Sequence, residues 1–158
     1  MFSSIAGPAR RLVVGGLAAA GLALPLTLTS LPAQAATLNG CTVVPERPVV
    51  VGLVGGQPNV RFRTTVTCAK DRIIQIRDQR LEADAPAGIA GDQSYGSTTY
   101  LRTFATAGTV HLTTYDVATS TENSNEEVYH RTSFKVATIG GVSGWTSFQN
   151  SPVRSVAN

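Results

Sequence analysis

Two histidines, His111 and His130, are the side chains in this 158-residue chain best suited to moving a proton near neutral pH. Hydrolysis by a Ser-His-Asp arrangement needs its three groups in contact, with the acid orienting the base. His111 and Asp116 share one strand-like run, but their separation points them to opposite faces of a strand. Serine-rich loops flank His130 in sequence, and no spacing ties it to either of them. Gly141-Val142-Ser143-Gly144 is one residue short of a nucleophile elbow and falls in the C-terminal tail. The chain has no H-E-x-x-H, no G-x-S-x-G and no phosphate-binding glycine loop. The expectation is a protein that is not an enzyme, with no catalytic residue. A small secreted hydrolase using His111 or His130 is the alternative.

Oxygen-rich stretches between Asp84 and Asp92, and at Asn123-Ser124-Asn125-Glu126-Glu127, raise calcium as a ligand. The second stretch lacks EF-hand spacing, and a solvated polar turn accounts for it. No metal and no cofactor is expected.

Two cysteines, Cys41 and Cys68, carry the clearest covalent chemistry. No C-x-x-C or Cys-His spacing suggests a redox or metal role. Cys41 begins one strand-like run and Cys68 ends the next. A hairpin turning around Gly55-Gly56-Gln57-Pro58-Asn59 would bring them together. A disulfide closing that loop adds about 3–4 kcal/mol on the loop-entropy model. The alternative is lipidation of Cys41, since Leu38-Asn39-Gly40-Cys41 loosely resembles a lipobox. Asn39 fits that motif poorly, and Cys68 would be left as an odd thiol.

An oxidised pair implies an oxidising compartment. The N-terminus agrees. Arg10-Arg11 precedes an apolar run from Leu12 to Leu24, and Ala33-Gln34-Ala35 forms an A-x-A cleavage pattern. Residues 1–35 read as a secretory signal peptide, residues 36–139 as the folded domain, and residues 140–158 as a Gly/Ser-rich tail or extra strand. The expected location is extracellular, with cell-wall association open. No stable membrane insertion follows cleavage. The formal charge of +3 overstates the mature domain, because Arg10 and Arg11 leave with the leader while all acids remain. A near-neutral balance argues against nucleic acid as a partner.

After residue 36 the apolar pattern has period two, rich in Val, Ile, Thr and Tyr, which is strand chemistry. Thr42 to Leu53 is broken by Pro45 and Pro48 and reads as a kinked edge strand, a device against edge pairing that favours a monomer. Val60 to Cys68 alternates, with Val60, Phe62, Val66 and Cys68 inward and Arg61, Arg63, Thr65 and Thr67 outward. Arg72 to Ala83 is a strand whose charged far end is exposed. Asp84 to Gly96 is the longest break. Ser120 to Asn125 reads as a turn. Glu127 to Ile139 is a strong strand with Val128, Phe134 and Val136 on one face and Tyr129, Arg131 and Lys135 on the other.

Thr99 to Thr106 and Thr109 to Ala118 read as a hairpin turning at Ala107-Gly108. Its register sets Tyr100 opposite Tyr115, Arg102 opposite Thr113 and Phe104 opposite His111. Tyr100, Arg102, Phe104, His111 and Tyr115 then form one candidate binding face, of the aromatic and arginine type that makes interface hot spots. Flat rings also stack on sugars. The competing assignment places these aromatics in the core and Leu101, Val110 and Leu112 outside.

These elements make an all-β protein. The architecture expected is an antiparallel two-sheet sandwich, immunoglobulin-like, of about six or seven strands with one disulfide. Its expected action is binding, as an extracellular protein-binding or inhibitor module. A cell-wall or surface-associated module contacting glycan is the alternative.

Overall fold

The computed structural model describes residues 33–83, 92–119 and 125–157. The expected signal peptide through Pro32, most of the Asp84–Gly96 break and most of the Ser120–Asn125 turn lie outside the described residues, as do positions 84–91 of the first candidate calcium stretch and Asn123 and Ser124 of the second.

The chain runs β1 (Ala36–Leu38), β2 (Cys41–Pro45), β3 (Val49–Val54), β4 (Gln57–Cys68), β5 (Arg72–Glu82), β6 (Gln93–Phe104), β7 (Gly108–Val117), β8 (Glu126–Thr138), β9 (Gly141–Val142), β10 (Gln149–Asn150) and β11 (Arg154–Val156). All pairing is antiparallel. The first sheet runs β1, then β2 and β3 in line, then β4, then β7. The second runs β6, β5, β8, then β9, β10 and β11 strung along the far edge of β8. The two sheets face each other as a sandwich. The strand order establishes that architecture and nothing narrower. The disulfide joins neighbouring strands of one sheet, whereas antibody-type domains bridge the two sheets.

Eleven strand segments replace the six or seven expected, for local reasons. Asn39-Gly40 and Gly55-Gly56 are two-residue turns in which every central residue has positive φ, at 48°, 76°, 61° and 85°. Such turns match the right-handed twist of the flanking strands, and Asn and Gly tolerate the conformation. Asn39-Gly40 therefore closes a β1–β2 hairpin, which the lipobox comparison had obscured. Cys41 is fully buried and bonded to Cys68, so its sulfur is not a lipid attachment point. The Pro45–Pro48 kink splits one long strand into β2 and β3, and β1 pairs with β2, so only the β3 part is an edge.

The expected β6–β7 hairpin does not form. Ala105 to Ala107 carries the chain from one sheet to the other instead. β6 pairs with β5 along Arg72–Glu82, and β7 pairs with β4 along Asn59–Cys68. Those ladders are longer than a closed 99–106/109–116 hairpin could offer. Crossing over also lets Phe104 and Leu112, 6% and 3% exposed, enter the same core cluster. A flat hairpin would have placed them on opposite faces.

β4 alternates as its sequence indicates, with Val60, Phe62, Val66 and Cys68 inside. The core is not uniformly apolar. One cluster gathers Val43, Val66, Ile74, Ile76, Phe104, Leu112, Phe134 and Val136 around the disulfide. A second gathers Val60, Phe62, Ala118, Val128 and Val156. Thr64, Asp78, Arg80, His130 and Thr132, all buried, lie between them on β4, β5 and β8. The far end of β5 is therefore interior, contrary to its charged sequence. Arg80 crosses the sandwich to Asp116 on β7 and also donates to the Thr98 hydroxyl at 2.8 Å, which compensates burial of its charge.

The tail docks. Ser143, Thr146 and Ser151 each hold β8 twice, through the backbone N–H and the side-chain hydroxyl. Their N–H groups donate to the carbonyls of Val136, Phe134 and His130, at 2.9, 2.8 and 2.8 Å. Their hydroxyls accept the N–H groups of the same three residues, at 2.9, 3.0 and 3.0 Å. Side-chain oxygens thus replace backbone carbonyls where the tail is too irregular to be a continuous strand. Tyr129, on the face of β8 opposite Val128, is fully buried with Leu81, Ala83 and the tail residue Val153.

Candidate functional site

The five residues expected on one face are divided between the sheets. Tyr100 and Phe104 turn into the sandwich from β6, Tyr100 partly and Phe104 almost completely buried. Arg102 stays exposed on the same strand, opposite Ile74, with its guanidinium 6.0 Å from the Tyr100 ring centroid. His111 and Tyr115 lie on the outer surface of the first sheet, opposite Thr65 and Arg61 of β4. Because β6 and β7 sit in different sheets, Tyr100 pairs with Ile76 and not with Tyr115.

The outer surface of the first sheet is where exposed chemistry converges. One row crosses three strands as Val49, Arg61 and Tyr115. Tyr115 is 57% exposed, and on β3 Val49 and Val54, which pair with the outward Arg61 and Gln57, add apolar surface at 43% and 53% exposure. The neighbouring rows are polar. Arg63 Nε donates to Glu46 Oε2 at 2.6 Å, and a second guanidinium nitrogen completes the pair. The Thr65 hydroxyl donates to Glu46 Oε1 at 2.5 Å and lies 2.9 Å from His111 Nδ1.

Glu46 owes its position to the kink. Between Pro45 and Pro48 the chain leaves the ladder, and Glu46 N–H still donates to the Arg63 carbonyl at 2.8 Å. Its side chain turns outward to Arg63 and Thr65, while its carbonyl turns inward to accept from His130 Nε2 at 2.8 Å. Partial burial pulls the Glu46 carboxyl upward. Hydrogen bonds from Arg63 and Thr65, with the charges of Arg63 and His111, outweigh that and hold it below its ordinary value of 4.5.

His130 is fully buried, with Nδ1 3.0 Å from Asp78 Oδ1 and the ring edge-on to Phe62. Its ring contacts are thus a buried carboxylate, a backbone carbonyl and an aromatic ring. This core role was not legible in the sequence, because Asp78, His130 and Glu46 come together only through the stacking of the sheets. Tyr100 is a second polar group at the sandwich interior. Burial raises its hydroxyl above the usual 10.0, and the Asp78 charge pushes the same way against the opposing influence of Thr114, Arg80 and Arg102. Among the described residues no group of His, Cys, Asp or Glu is arranged to hold a metal ion, and no helix is long and apolar enough to cross a membrane. The chain matches no known family model, and a search of curated proteins finds no match.

Proposed function

We propose that this protein is an exported binding module and that it contacts another extracellular protein through the outer surface of its first sheet. The observation that carries this reading is the exposed row Val49–Arg61–Tyr115, continuous with the open aliphatic edge of β3. An apolar patch rimmed by polar groups, with a tyrosine and arginines at its border, has interface chemistry. The Glu46–Arg63–Thr65 bonds hold the polar rim in place. Pre-ordered side chains lose less freedom on binding. The buried disulfide supports an oxidising location.

The test is capture from the native culture medium on the oxidised domain, with Tyr115→Ser and Arg61→Gln as parallel columns. A single protein held by the wild type and lost by both variants, and forming a fixed-stoichiometry complex once purified, supports the reading. A partner held equally by all three columns removes the function from this surface.

A further inference from the structure

The opposite outer surface, that of the second sheet, has a different chemistry. Arg77 on β5 and Lys135 on β8 both lie against Trp145, at 3.7 and 5.2 Å from its ring centroid. Arg131, further along β8, lies 4.8 Å from the Phe148 ring centroid. The rows pairing Gln75 with Lys135, Arg77 with Ser133 and Gln79 with Arg131 contain no carboxylate. The ion pairs among the described residues involve other groups, and Arg131 Nε donates to the neutral Gln79 Oε1 at 2.8 Å. Arg77 is exposed, Lys135, Arg131 and Trp145 are half-buried, and Phe148 is 38% exposed.

We propose that this surface binds an anionic polysaccharide. The argument is complementarity of two kinds. Three cations outside those ion pairs, on one face of a sheet, favour a polyanion. Arg131 and Lys135 are separated by about 13 Å along the strand, which suits a ligand with repeated charges and not a single anion. Aromatic rings between the cations offer faces and edges for the C–H surface of a sugar, which an acidic peptide does not require. The docked tail builds the surface: the hydroxyl and N–H clamps of Ser143 and Thr146 on β8 bracket Trp145 and fix its backbone. This site is separate from the protein-contact surface of the first sheet.

Trp145 is the only tryptophan in the chain, so its emission reports on this surface directly. The experiment titrates the oxidised domain with dextran sulfate, neutral dextran, polyglutamate and phosphatidylglycerol vesicles, following both binding and Trp145 emission. The expected result is salt-sensitive binding to dextran sulfate with a change in emission, and neither effect with neutral dextran. Arg77→Gln/Arg131→Gln/Lys135→Gln, checked for an unchanged fold, should weaken that binding at least about tenfold. Arg61→Gln/Arg63→Gln, on the other sheet, should leave it within about twofold of the wild type. Three outcomes overturn the proposal. One is saturation by dextran sulfate with unchanged Trp145 emission. Another is equal affinity and equal response to polyglutamate or vesicles, which would mean charge alone. The last is undiminished binding by the triple variant. None of these bears on Tyr115 and the first sheet.

Discussion

His130 and Asp78 meet inside the sandwich: Nδ1 lies 3.0 Å from Oδ1, and both side chains are sealed from solvent. Nε2 donates to the Glu46 carbonyl, an acceptor that has no proton of its own to give. Thr64 adds a longer contact to the other carboxylate oxygen at 3.5 Å. A satisfied polar network of this kind ties three strands and the kink into one arrangement.

Removing one member leaves the other buried without its partner. Asp78→Ala and His130→Ala should each cost about 3–5 kcal/mol, measured by denaturant unfolding. The Asp78→Ala/His130→Ala double variant should lose less than the two single losses added together. Additive losses would mean that the two groups do not act as a pair.

The disulfide closes a hairpin spanning 27 residues and is surrounded by the larger apolar cluster. Cys68→Ser should lower stability by about 2–5 kcal/mol in oxidising buffer. An unchanged unfolding midpoint would show that the bridge does not form in solution.

Two groups set the pH limits. The Glu46 carboxyl lies below 4.5 in the folded protein, so below that value the unfolded chain binds more protons than the folded one. Its contribution is complete above pH 4.5 and is lost as pH falls further. Glu46→Gln should flatten this acid limb of thermal stability. Tyr100 behaves in the opposite sense. Its hydroxyl is raised above 10.0, so its contribution holds below pH 10 and is lost as pH rises. Tyr100→Phe should remove that alkaline loss. A melting profile identical to that of the wild type in either variant would contradict the corresponding assignment.

The tail's hydroxyl clamps are open to hydrogen exchange. Ser143→Ala, Thr146→Val and Ser151→Ala remove the acceptors of the Val136, Phe134 and His130 amides respectively. Each should cost about 1 kcal/mol and speed exchange at its own amide. Uniform protection across all three variants would mean that the tail is held by its own N–H bonds to β8 and its packing, without the hydroxyls.

Strand chemistry was legible residue by residue. The alternation from Val60 to Cys68 marks a half-buried strand in any context, because side chains on extended backbone alternate faces. Cys41, Cys68 and the Gly55-Gly56 turn belong to one local hairpin, so their pairing needs no distant partner. Asn39-Gly40 carried an equally local signal, masked by its resemblance to a lipidation site.

Between Phe104 and Gly108 the local signal could not decide. A hairpin and a crossover use the same residues, and the choice rests on β4 and β5, which are distant in sequence and offer longer ladders. That choice divided Tyr100, Phe104 and Arg102 from His111 and Tyr115. Charge misled in the same way. Arg80 and Asp78 read as surface residues, because isolated charges avoid the interior. Only the stacking of two sheets supplied Asp116 to Arg80, and Asp78 with the Glu46 carbonyl to His130. Composition and spacing thus determined that the chain forms stapled antiparallel strands. Long-range pairing decided which polar groups are buried and which aromatics face solvent, since compensation by a partner exists only once both strands are in place.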